Sequence, residues 1–440
     1  MKRLTGDSRT DAAIILEAVL REHQRSTDLT NQAAGSYRDQ RDFGLLRELV
    51  GGVLRRMQAL EAIVGPHVGR GLENTRPLLK MILLGHAYQA VFLDRIPAHA
   101  RVSGAVNAAR RLDGEKGAGF VNAVTRSVER LADGNPGRLL DGLTPWQLLS
   151  IPPVFMEHIR LAHGGVPGAD DLARLASPSP ISVRIRHRGE SRERALAALA
   201  ATGTVATPGE FAPDCMILDS GAILATDAVP SLVIPQDQAS QLVAMALGPL
   251  DGANVLDMCC GVGIKTSQIL DMSDQVTVTA VDMDTAKLDR NKELCRAMGL
   301  AKPRVLGADA TALPAAMEGT FDAVLLDAPC TGAGTIRRRP EVRYARSAAD
   351  FGQAALLQKA LLESALRMVR PGGRVVFATC SFSPTEGRDV LAAVLGARPG
   401  YELVETGLPT ALESPDHTVT ILPWAFEMDG FFIAAIRRCP

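Results

Sequence analysis

The sequence is poor in aromatic residues and has no apolar run long enough to span a membrane. Aromatic side chains make up 4% of its 440 residues, with only 2 Trp and 4 Tyr. So few rings argue against a protein that reads single-stranded nucleic acid on an aromatic stacking platform. The missing apolar run argues against transmembrane helices. We therefore expect no membrane partner.

Close cysteine pairs are also missing. The 7 cysteines include no C-x-x-C pair, so a zinc site has little support and we expect no metal. An odd number of cysteines without a secretory signal is typical of proteins in a reducing compartment. Because the residues after Met1 turn polar at once, we expect a cytoplasmic protein.

The net charge is small but unevenly distributed. The formal charge is −1 overall, yet residues 1–140 hold 21 Lys and Arg against 15 Asp and Glu. That first part therefore carries +6 and the remainder −7. A basic region of this kind could hold RNA phosphates, and a solvated helical surface with surplus arginine would give the same count.

The first two regions of the chain differ in their periodicity. In residues 1–140, apolar side chains recur at three- and four-residue steps, as from Phe43 to Leu54, which predicts an all-α bundle. Residues 145–235 mix both patterns and predict a small α+β connector subdomain that contributes to RNA binding. Within it, residues 181–188 alternate apolar and basic side chains, which predicts a strand whose basic face meets either RNA or solvent.

The last region, residues 236–440, alternates strand and helix patterns. Strands are predicted at Asn254–Met258, Thr277–Asp282, Ala323–Asp327 and Arg374–Thr379. This order is typical of a doubly wound, mostly parallel α/β sheet, so the whole chain is predicted to be an α + α/β multidomain protein. Near its end, Asp429-Gly430 separates two apolar runs, Trp424–Met428 and Phe431–Ile436, and predicts a β-hairpin between them.

A glycine-containing loop follows the first of these strands and opens a helix. Its glycines would let the backbone pass close to a ligand, and the spacing is not that of a Walker phosphate loop. A carboxylate at the end of the second strand, Asp282, could accept both ribose hydroxyls of a nucleoside cofactor. Asp309, after the third strand, could hold an adenine amine. The predicted cofactor-binding residues are Cys259, Cys260, Gly261, Val262, Gly263, Ile264, Lys265, Asp282, Asp309 and Asp327. Both S-adenosyl-L-methionine and NAD suit such a scaffold.

Two cysteines decide between these cofactors in favour of S-adenosyl-L-methionine. Asp327 and Cys330 follow one apolar strand, and Cys380 follows another. Asp327 could instead cap a helix, and both thiols could be inert buried cysteines. Two thiols at neighbouring strand ends beside a cofactor loop nevertheless indicate methyl transfer to carbon 5 of a pyrimidine. A thiolate that adds at carbon 6 makes carbon 5 nucleophilic, which splits one difficult step into easier ones.

Several segments carry a family resemblance over nearly the whole chain. The segments Asp327–Gly332, Ile336–Tyr344, Thr379–Ser381 and Asp429–Phe432 resemble the RNA 5-methylcytosine methyltransferases of the NOL1/NOP2/Sun class, as does Ile234–Ser240. The amino-terminal part is similar to the NusB-type helical RNA-binding domain, on the segments Arg95–Ala100 and Phe120–Arg126. Together they resemble the bacterial Sun/Fmu-type enzymes that methylate a cytidine of 16S ribosomal RNA. One departure is the cofactor loop, where that class usually has C-A-A-P-G-G-K-T and this chain has Cys-Cys-Gly-Val-Gly-Ile-Lys-Thr.

The resemblance implies a role for each catalytic residue. Cys380 is then the nucleophile, Cys330 assists its release, and Asp327 hydrogen-bonds the cytosine ring. Lys265 is expected to support the cofactor loop and nearby carboxylates. The predicted RNA-binding residues are Arg337, Arg338, Arg339 and Arg343.

The predicted domains are a NusB-like domain at 1–140, the connector at 145–235, and a class I Rossmann-like methyltransferase domain at 236–440. The expected partners are S-adenosyl-L-methionine and RNA, with 16S ribosomal RNA favoured, and the protein is expected to be a monomer. Two alternatives stay open at this point, a transfer RNA substrate and an RNA-binding assembly factor without catalysis.

Overall fold

The computed structural model describes residues 2–132, 134–187 and 189–440, which fall into two units by their internal contacts. The first unit holds the residues up to Met156 together with Gly168–Ser177 and Ile336–Ala345. The second holds Glu157–Pro167, Pro178–Thr335 and Arg346–Pro440.

The helices are α1 (Ser8–Glu22), α2 (Ser26–Ala33), α3 (Gln40–Val64), α4 (Pro77–Phe92), α5 (Ala98–Ala132), α6 (Pro145–Leu149), α7 (Pro153–His163), α8 (Ala169–Leu175), α9 (Gly189–Ala201), α10 (Gln238–Met245), α11 (Ile264–Met272), α12 (Thr285–Ala297), α13 (Ala348–Met368) and α14 (Arg388–Leu395). The strands are β1 (Ile181–Ile185), β2 (Ala206–Pro208), β3 (Cys215–Leu218), β4 (Val233–Pro235), β5 (Asn254–Met258), β6 (Thr277–Asp282), β7 (Arg304–Gly307), β8 (Phe321–Asp327), β9 (Val369–Thr379), β10 (Tyr401–Val404), β11 (Thr418–Ile421) and β12 (Phe431–Arg438).

The first unit is a helical bundle, which confirms the all-α prediction. Asp7 and Asp39 cap α1 and α3 by accepting hydrogen bonds from main-chain N–H groups of the first turn. The apolar stripe of α3 is buried, as Leu46, Leu49 and Val53 show, and each such side chain contributes about 1.5–3 kcal/mol on burial. Within α5, Gly114 has φ 74° and ψ −167°, so that element is two helical segments joined at a kink.

A short segment from the carboxyl-terminal half of the chain, Ile336–Ala345, belongs to this helical unit. Arg343 is 1% exposed and donates hydrogen bonds to the main-chain carbonyls of Arg55, Leu149, Ser150 and Leu175. Burial lowers the pKa of Arg343 to about 10, so the guanidinium still carries its charge at neutral pH. These bonds hold the segment inside the bundle.

Two further side chains of the same segment have partners in the bundle. Ser26 Oγ donates to Glu341 Oε2 at 2.9 Å, and the Tyr344 hydroxyl donates to the Leu54 carbonyl at 2.9 Å. Both partners lie in the first unit, so the segment is a structural part of it.

The second unit is built on a mixed sheet with strand order β10-β12-β9-β8-β5-β6-β7, to which β11 adds by pairing with β12. The strands β5 to β9 run parallel to one another, and β12 runs antiparallel to β9. Apolar side chains cover both faces, since Val255 and Leu325 are in one buried cluster and Leu256 and Leu326 in another. This confirms the Rossmann-like prediction. The strand order reverses between β5 and β8, where open α/β sheets bind ligands.

A smaller sheet in the same unit has the order β2-β3-β1-β4. Its strand β1 carries Arg184, which is 1% exposed and donates to Gln236 Oε1 at 2.7 Å and to Ser267 Oγ at 2.9 Å. Arg186 pairs with Asp271 at 2.8 Å. Neither role predicted for this basic strand face, RNA contact or solvation, fits Arg184, because the side chain is buried and lies 3.4 Å from the Asp271 carboxylate of the same unit. Arg188, at the end of that predicted segment, lies outside the described residues.

The predicted hairpin at Asp429-Gly430 is only half right. Residues 424–428 form turns and bends rather than a strand. The partner of β12 is β11, in a register that pairs Ile421 with Phe431, so residues 422–430 form a longer loop. In the described part of the chain, no helix combines the length and apolar character that crossing a membrane requires.

Candidate active site

The cofactor loop leaves β5 at the point where the strand order reverses. Cys259, Gly261 and Gly263 have φ values of 60°, 56° and 89°, a left-handed region that glycine adopts without strain. A Cβ atom built at Gly263 would lie 2.4 Å from the Asn291 side chain. A Cβ atom built at Gly261 would have no atom of the surrounding structure within 4 Å. Only glycine therefore fits at Gly263, and the backbone at Gly261 borders open space.

Asp282 closes this loop from the next strand. Its Oδ2 accepts a hydrogen bond from the Gly261 N–H at 2.9 Å, and its Oδ1 accepts one from the Asp284 N–H at 2.9 Å. Each carboxylate oxygen has a second lone pair, so Asp282 can still accept from the hydroxyls of a ribose. Asp309 is exposed and follows β7, and hydrogen bonds from the Thr311 main chain and side chain hold its pKa low.

The residues around this loop fit a nucleoside cofactor. The backbone is open at Gly261, the Asp282 carboxylate is half-buried beside it, and the apolar side chains Val262 and Met283 are 36% and 73% exposed. Apolar side chains beside a few fixed polar groups are features that small-molecule sites share.

A buried polar chain supports the loop from beneath. Thr266 Oγ1 donates to Asp257 Oδ2 at 2.6 Å, and Asn291 Nδ2 donates to Thr266 Oγ1 at 2.9 Å. Burial raises the pKa of Asp257 to about 7, although the bond from Thr266 opposes the shift. These side chains tie β5, α11 and α12 together directly under the cofactor loop.

Lys265 and Asp327 form an ion pair at the carboxyl ends of β5 and β8. Lys265 Nζ lies 2.6 Å from Asp327 Oδ2, with side-chain exposures of 10% and 30%. Burial by itself would lower the pKa of Lys265, but the charge and hydrogen bond of Asp327 outweigh it and raise the pKa. Lys265 is thus a cation that holds Asp327 at the edge of the sheet, as its predicted support of a nearby carboxylate requires.

The two thiols predicted to act together lie in contact. Cys330 follows β8, Cys380 follows the neighbouring strand β9, and their sulfurs are 2.9 Å apart. The hydrogen bond with Cys380, followed by burial, raises the pKa of Cys330 well above its ordinary value. Cys330 is therefore a thiol at neutral pH, and its S–H can donate to the Cys380 sulfur.

Close backbone contacts fix the loops that carry these thiols. The Gly334 N–H donates to the Cys380 carbonyl at 3.0 Å, and the Gly430 N–H donates to the Gly334 carbonyl at 2.8 Å. A Cβ atom at Gly334 would lie 1.9 Å from the Gly430 carbonyl oxygen. The loops that contain Gly334, Cys380 and Gly430 thus pack so closely that only glycine fits at position 334.

The predicted RNA-binding arginines differ in their surroundings. Arg343 and Arg337 are 1% and 3% exposed, and Arg337 donates to Ser177 Oγ at 3.2 Å within the helical unit. Their burial argues against phosphate contacts by these two side chains. Arg338 and Arg339 are half-buried, and Arg339 pairs with Glu341 at 3.7 Å.

One buried carboxylate beside the thiols was missed by sequence reasoning. Glu386 is 0% exposed and bonds residues next to both cysteines. The only sequence signal is that it lies six residues after Cys380, which does not reveal its partners. Among the described residues, no group of three or more His, Cys, Asp or Glu could hold a metal ion.

This fold and site define a class I S-adenosyl-L-methionine-dependent methyltransferase, with the cofactor loop after β5 and an acidic residue ending β6. Residues 244–437 match the family described as 16S rRNA methyltransferase RsmB/F, and residues 7–130 match the NusB family. The chain belongs to the RsmB/F family of methyltransferases.

Relatives match over nearly the full length of the chain. The ribosomal RNA small subunit methyltransferase B of Vibrio cholerae is 32% identical, with 90% of each chain covered. That of Erwinia tasmaniensis is 31% identical, with 100% of each covered. Among solved structures, PH0851 has a TM-score of 0.80 at 22% identity, covering 99% of this chain and 100% of its own. NSun6 from Pyrococcus horikoshii with SFG has a TM-score of 0.57 at 19% identity, covering 66% of this chain and 98% of its own.

Proposed function

We propose that this enzyme transfers a methyl group to carbon 5 of a cytidine in small-subunit ribosomal RNA through a covalent cysteine adduct. The observation that carries the proposal is the 2.9 Å contact between Cys330 and Cys380 at neighbouring strand ends. A methyltransferase acting on oxygen or on an amine has no need of a nucleophilic thiol, whereas carbon 5 of cytosine is too weak a nucleophile without one.

Cys380 acts first in the proposed mechanism. Its thiolate forms a bond to carbon 6 of the ring, and the electron pair of the 5,6 double bond becomes available at carbon 5. S-adenosyl-L-methionine, when bound, supplies an electrophilic methyl group to that carbon. Asp327 accepts a hydrogen bond from the exocyclic amine, and also from ring nitrogen 3 once solvent has protonated that atom as charge builds on the ring. Lys265 holds the Asp327 carboxylate in place.

Cys330 acts at the release step. Once Cys380 is bonded to carbon, the hydrogen bond that contributes most to the raised pKa of Cys330 is lost. The pKa of Cys330 then falls, so its thiol proton passes more readily to solvent and leaves a thiolate that can accept a proton. It removes the proton from carbon 5, directly or through a water molecule, the 5,6 double bond re-forms, and the Cys380 thiolate leaves.

The choice of RNA follows the relatives, which are named as methyltransferases of small-subunit ribosomal RNA. Transfer RNA is the second candidate. Family membership favours an enzyme over an assembly factor without catalysis. Cytoplasmic location and a monomeric state stay predictions from the sequence. The division of the chain into domains at 1–140, 145–235 and 236–440 also stays a prediction.

Methylation can be tested directly. Incubation with tritiated S-adenosyl-L-methionine and unmethylated small-subunit ribosomal RNA is expected to label the RNA, and bisulfite sequencing is expected to show one protected cytidine. Total transfer RNA is the control substrate. Tritium in the ribosomal RNA without a cytosine protected from bisulfite would contradict transfer to carbon 5. Tritium confined to transfer RNA would establish the alternative substrate.

A groove in the helical unit is the proposed RNA contact of that unit. It has a volume of about 420 Å³ and is lined by Arg70, Arg76, Lys116 and Phe120 among others. The three cations are exposed, and Arg76 is paired with Asp113. Positive charge around a partly apolar pocket suits an unpaired nucleotide with its phosphate.

Replacing two of these cations is expected to weaken RNA binding and to flatten its salt dependence. In the double variant Arg70→Ala and Lys116→Ala, the slope of log affinity against log salt should become shallower by roughly 1.4–1.8. The reason is that a protein with two fewer phosphate contacts releases fewer counterions when it binds. The double variant Lys302→Ala and Arg304→Ala, exposed on the other unit, is the control. Deleting residues 1–140 would be a poorer test, since it would also remove Ser26 and Leu54, the partners of Glu341 and Tyr344. An unchanged slope would assign this groove another role.

A further inference from the structure

Glu386 is a buried carboxylate between the two cysteine loops. It ends a short turn, Pro384–Glu386, just after Cys380, and is 0% exposed. Its Oε1 accepts from the Thr331 N–H at 2.7 Å, and its Oε2 accepts from Thr331 Oγ1 at 2.5 Å and from Ser381 Oγ at 2.7 Å. Thr331 directly follows Cys330 and Ser381 directly follows Cys380, so one side chain binds both loops.

A third segment joins the same network. Gln358 of α13 donates to the Pro329 carbonyl at 2.9 Å and to Glu386 Oε1 at 3.4 Å. A buried carboxylate is costly unless its oxygens are well hydrogen-bonded. Because the donors come from three separate segments, Glu386 is satisfied only when the loops of Cys330 and Cys380 are both in this arrangement.

We propose that Glu386 is a positioning residue that sets the spacing of the Cys330 and Cys380 sulfurs, a role that rests on the proposed function. Cys380 has to reach carbon 6 while Cys330 serves the proton on carbon 5, the adjacent ring atom. A spacing of 2.9 Å suits two neighbouring targets. In such constellations a displacement of 1 Å can cost about 100-fold in rate.

The charge of Glu386 has a second effect on the same pair. The hydrogen bond with Cys380, burial, and the charges of Cys380 and Glu386, in that order, raise the pKa of Cys330. Glu386 therefore contributes to keeping Cys330 a thiol until the adduct has formed. A purely structural side chain of the same size would not do this.

Two substitutions of Glu386 separate geometry from charge. Glutamine can accept from the Thr331 N–H and donate to both hydroxyls, so Glu386→Gln is expected to keep the single-turnover methylation rate within about tenfold. Glu386→Ala removes every bond and is expected to lose about 100-fold. Cofactor affinity, measured by calorimetry, should stay within about threefold in both, since the network lies in the thiol loops. Glu413→Gln, a carboxylate 12% exposed that bonds the Thr406 N–H at 2.7 Å, is the matched control.

A second readout does not depend on methyl transfer. The rate at which iodoacetamide alkylates Cys330, followed against pH by peptide mass mapping, reports its pKa. Loss of the Glu386 charge should move the midpoint to lower pH in Glu386→Gln, and Glu413→Gln should leave it in place. An unmoved midpoint would overturn the proposed influence on Cys330.

The outcomes distinguish this proposal from the one it rests on. If the unaltered enzyme does not methylate carbon 5, the proposed function fails whatever the Glu386 variants do. If it does, and a folded Glu386→Ala protein keeps the full rate, the positioning role fails alone. Should Glu386→Ala not fold, Thr331→Val and Ser381→Ala each remove one bond to Glu386, and full activity in both would likewise overturn it.

Discussion

With alanine in place of Cys330, the enzyme is expected to become trapped on its RNA through Cys380. Addition to carbon 6 and methylation of carbon 5 need only Cys380, whereas release needs a proton acceptor near carbon 5. A denaturing gel after incubation with RNA and S-adenosyl-L-methionine should show a slower band for Cys330→Ala, with methylated RNA attached.

The alanine variant of Cys380 should fail at the opposite end of the reaction. Cys380→Ala is expected to form no adduct and to lose methyl transfer, while S-adenosyl-L-methionine binding stays nearly intact. Cys439→Ala, a cysteine of intermediate burial near the end of the chain, is the control. A slower band from Cys380→Ala instead of Cys330→Ala would reverse the two assigned roles, and substantial methylation by Cys380→Ala would exclude it as the nucleophile.

Removing the carboxylate of Asp282 is expected to weaken S-adenosyl-L-methionine binding by about 1.5–3 kcal/mol, the range for a hydrogen bond to a charged group. The reason is that Asp282 holds the Gly261 N–H and retains lone pairs for the ribose hydroxyls. Calorimetric titration of Asp282→Ala against the unaltered enzyme measures the difference.

Two further variants make this test specific. Asp282→Asn keeps one acceptor for the Gly261 N–H but loses the charge, so an intermediate loss of affinity is expected. Asp289→Ala removes an exposed carboxylate of α12 whose partner is Lys292, and it should bind the cofactor normally. Equal affinity in Asp282→Ala and Asp289→Ala would reject Asp282 as a cofactor ligand.

The sheet and the positions of the site residues could be predicted because both follow from local pattern. Strands β5 and β6 have the predicted bounds, since short apolar runs between helices leave few other possibilities. The same topology places Cys330 and Cys380 at adjacent strand ends. A glycine loop and two strand-end thiols are therefore visible in the sequence before any contact is known.

Buried charges were harder to predict, since their partners are distant in the sequence. Arg184 was expected to face RNA or solvent, because an alternating strand with one polar face usually does so. It instead pairs with residues more than 50 positions away. Arg343 and Glu386 likewise find hydrogen-bond partners far away in the sequence, and their burial depends on these tertiary partners, which periodicity does not report.

The segment Ile336–Ala345 has a consequence for how the chain folds during its synthesis. Domains generally fold as the ribosome delivers them, at about 5–20 residues per second. The helical unit lacks a part of itself until Ala345 has been made, which is roughly 200 residues, or on the order of 10–40 s, after its main helices emerge. Until then, the carbonyls that receive Arg343 have no guanidinium to bind. Nor can the amino-terminal helices be exchanged between relatives as a single cassette, because the graft must also carry this segment.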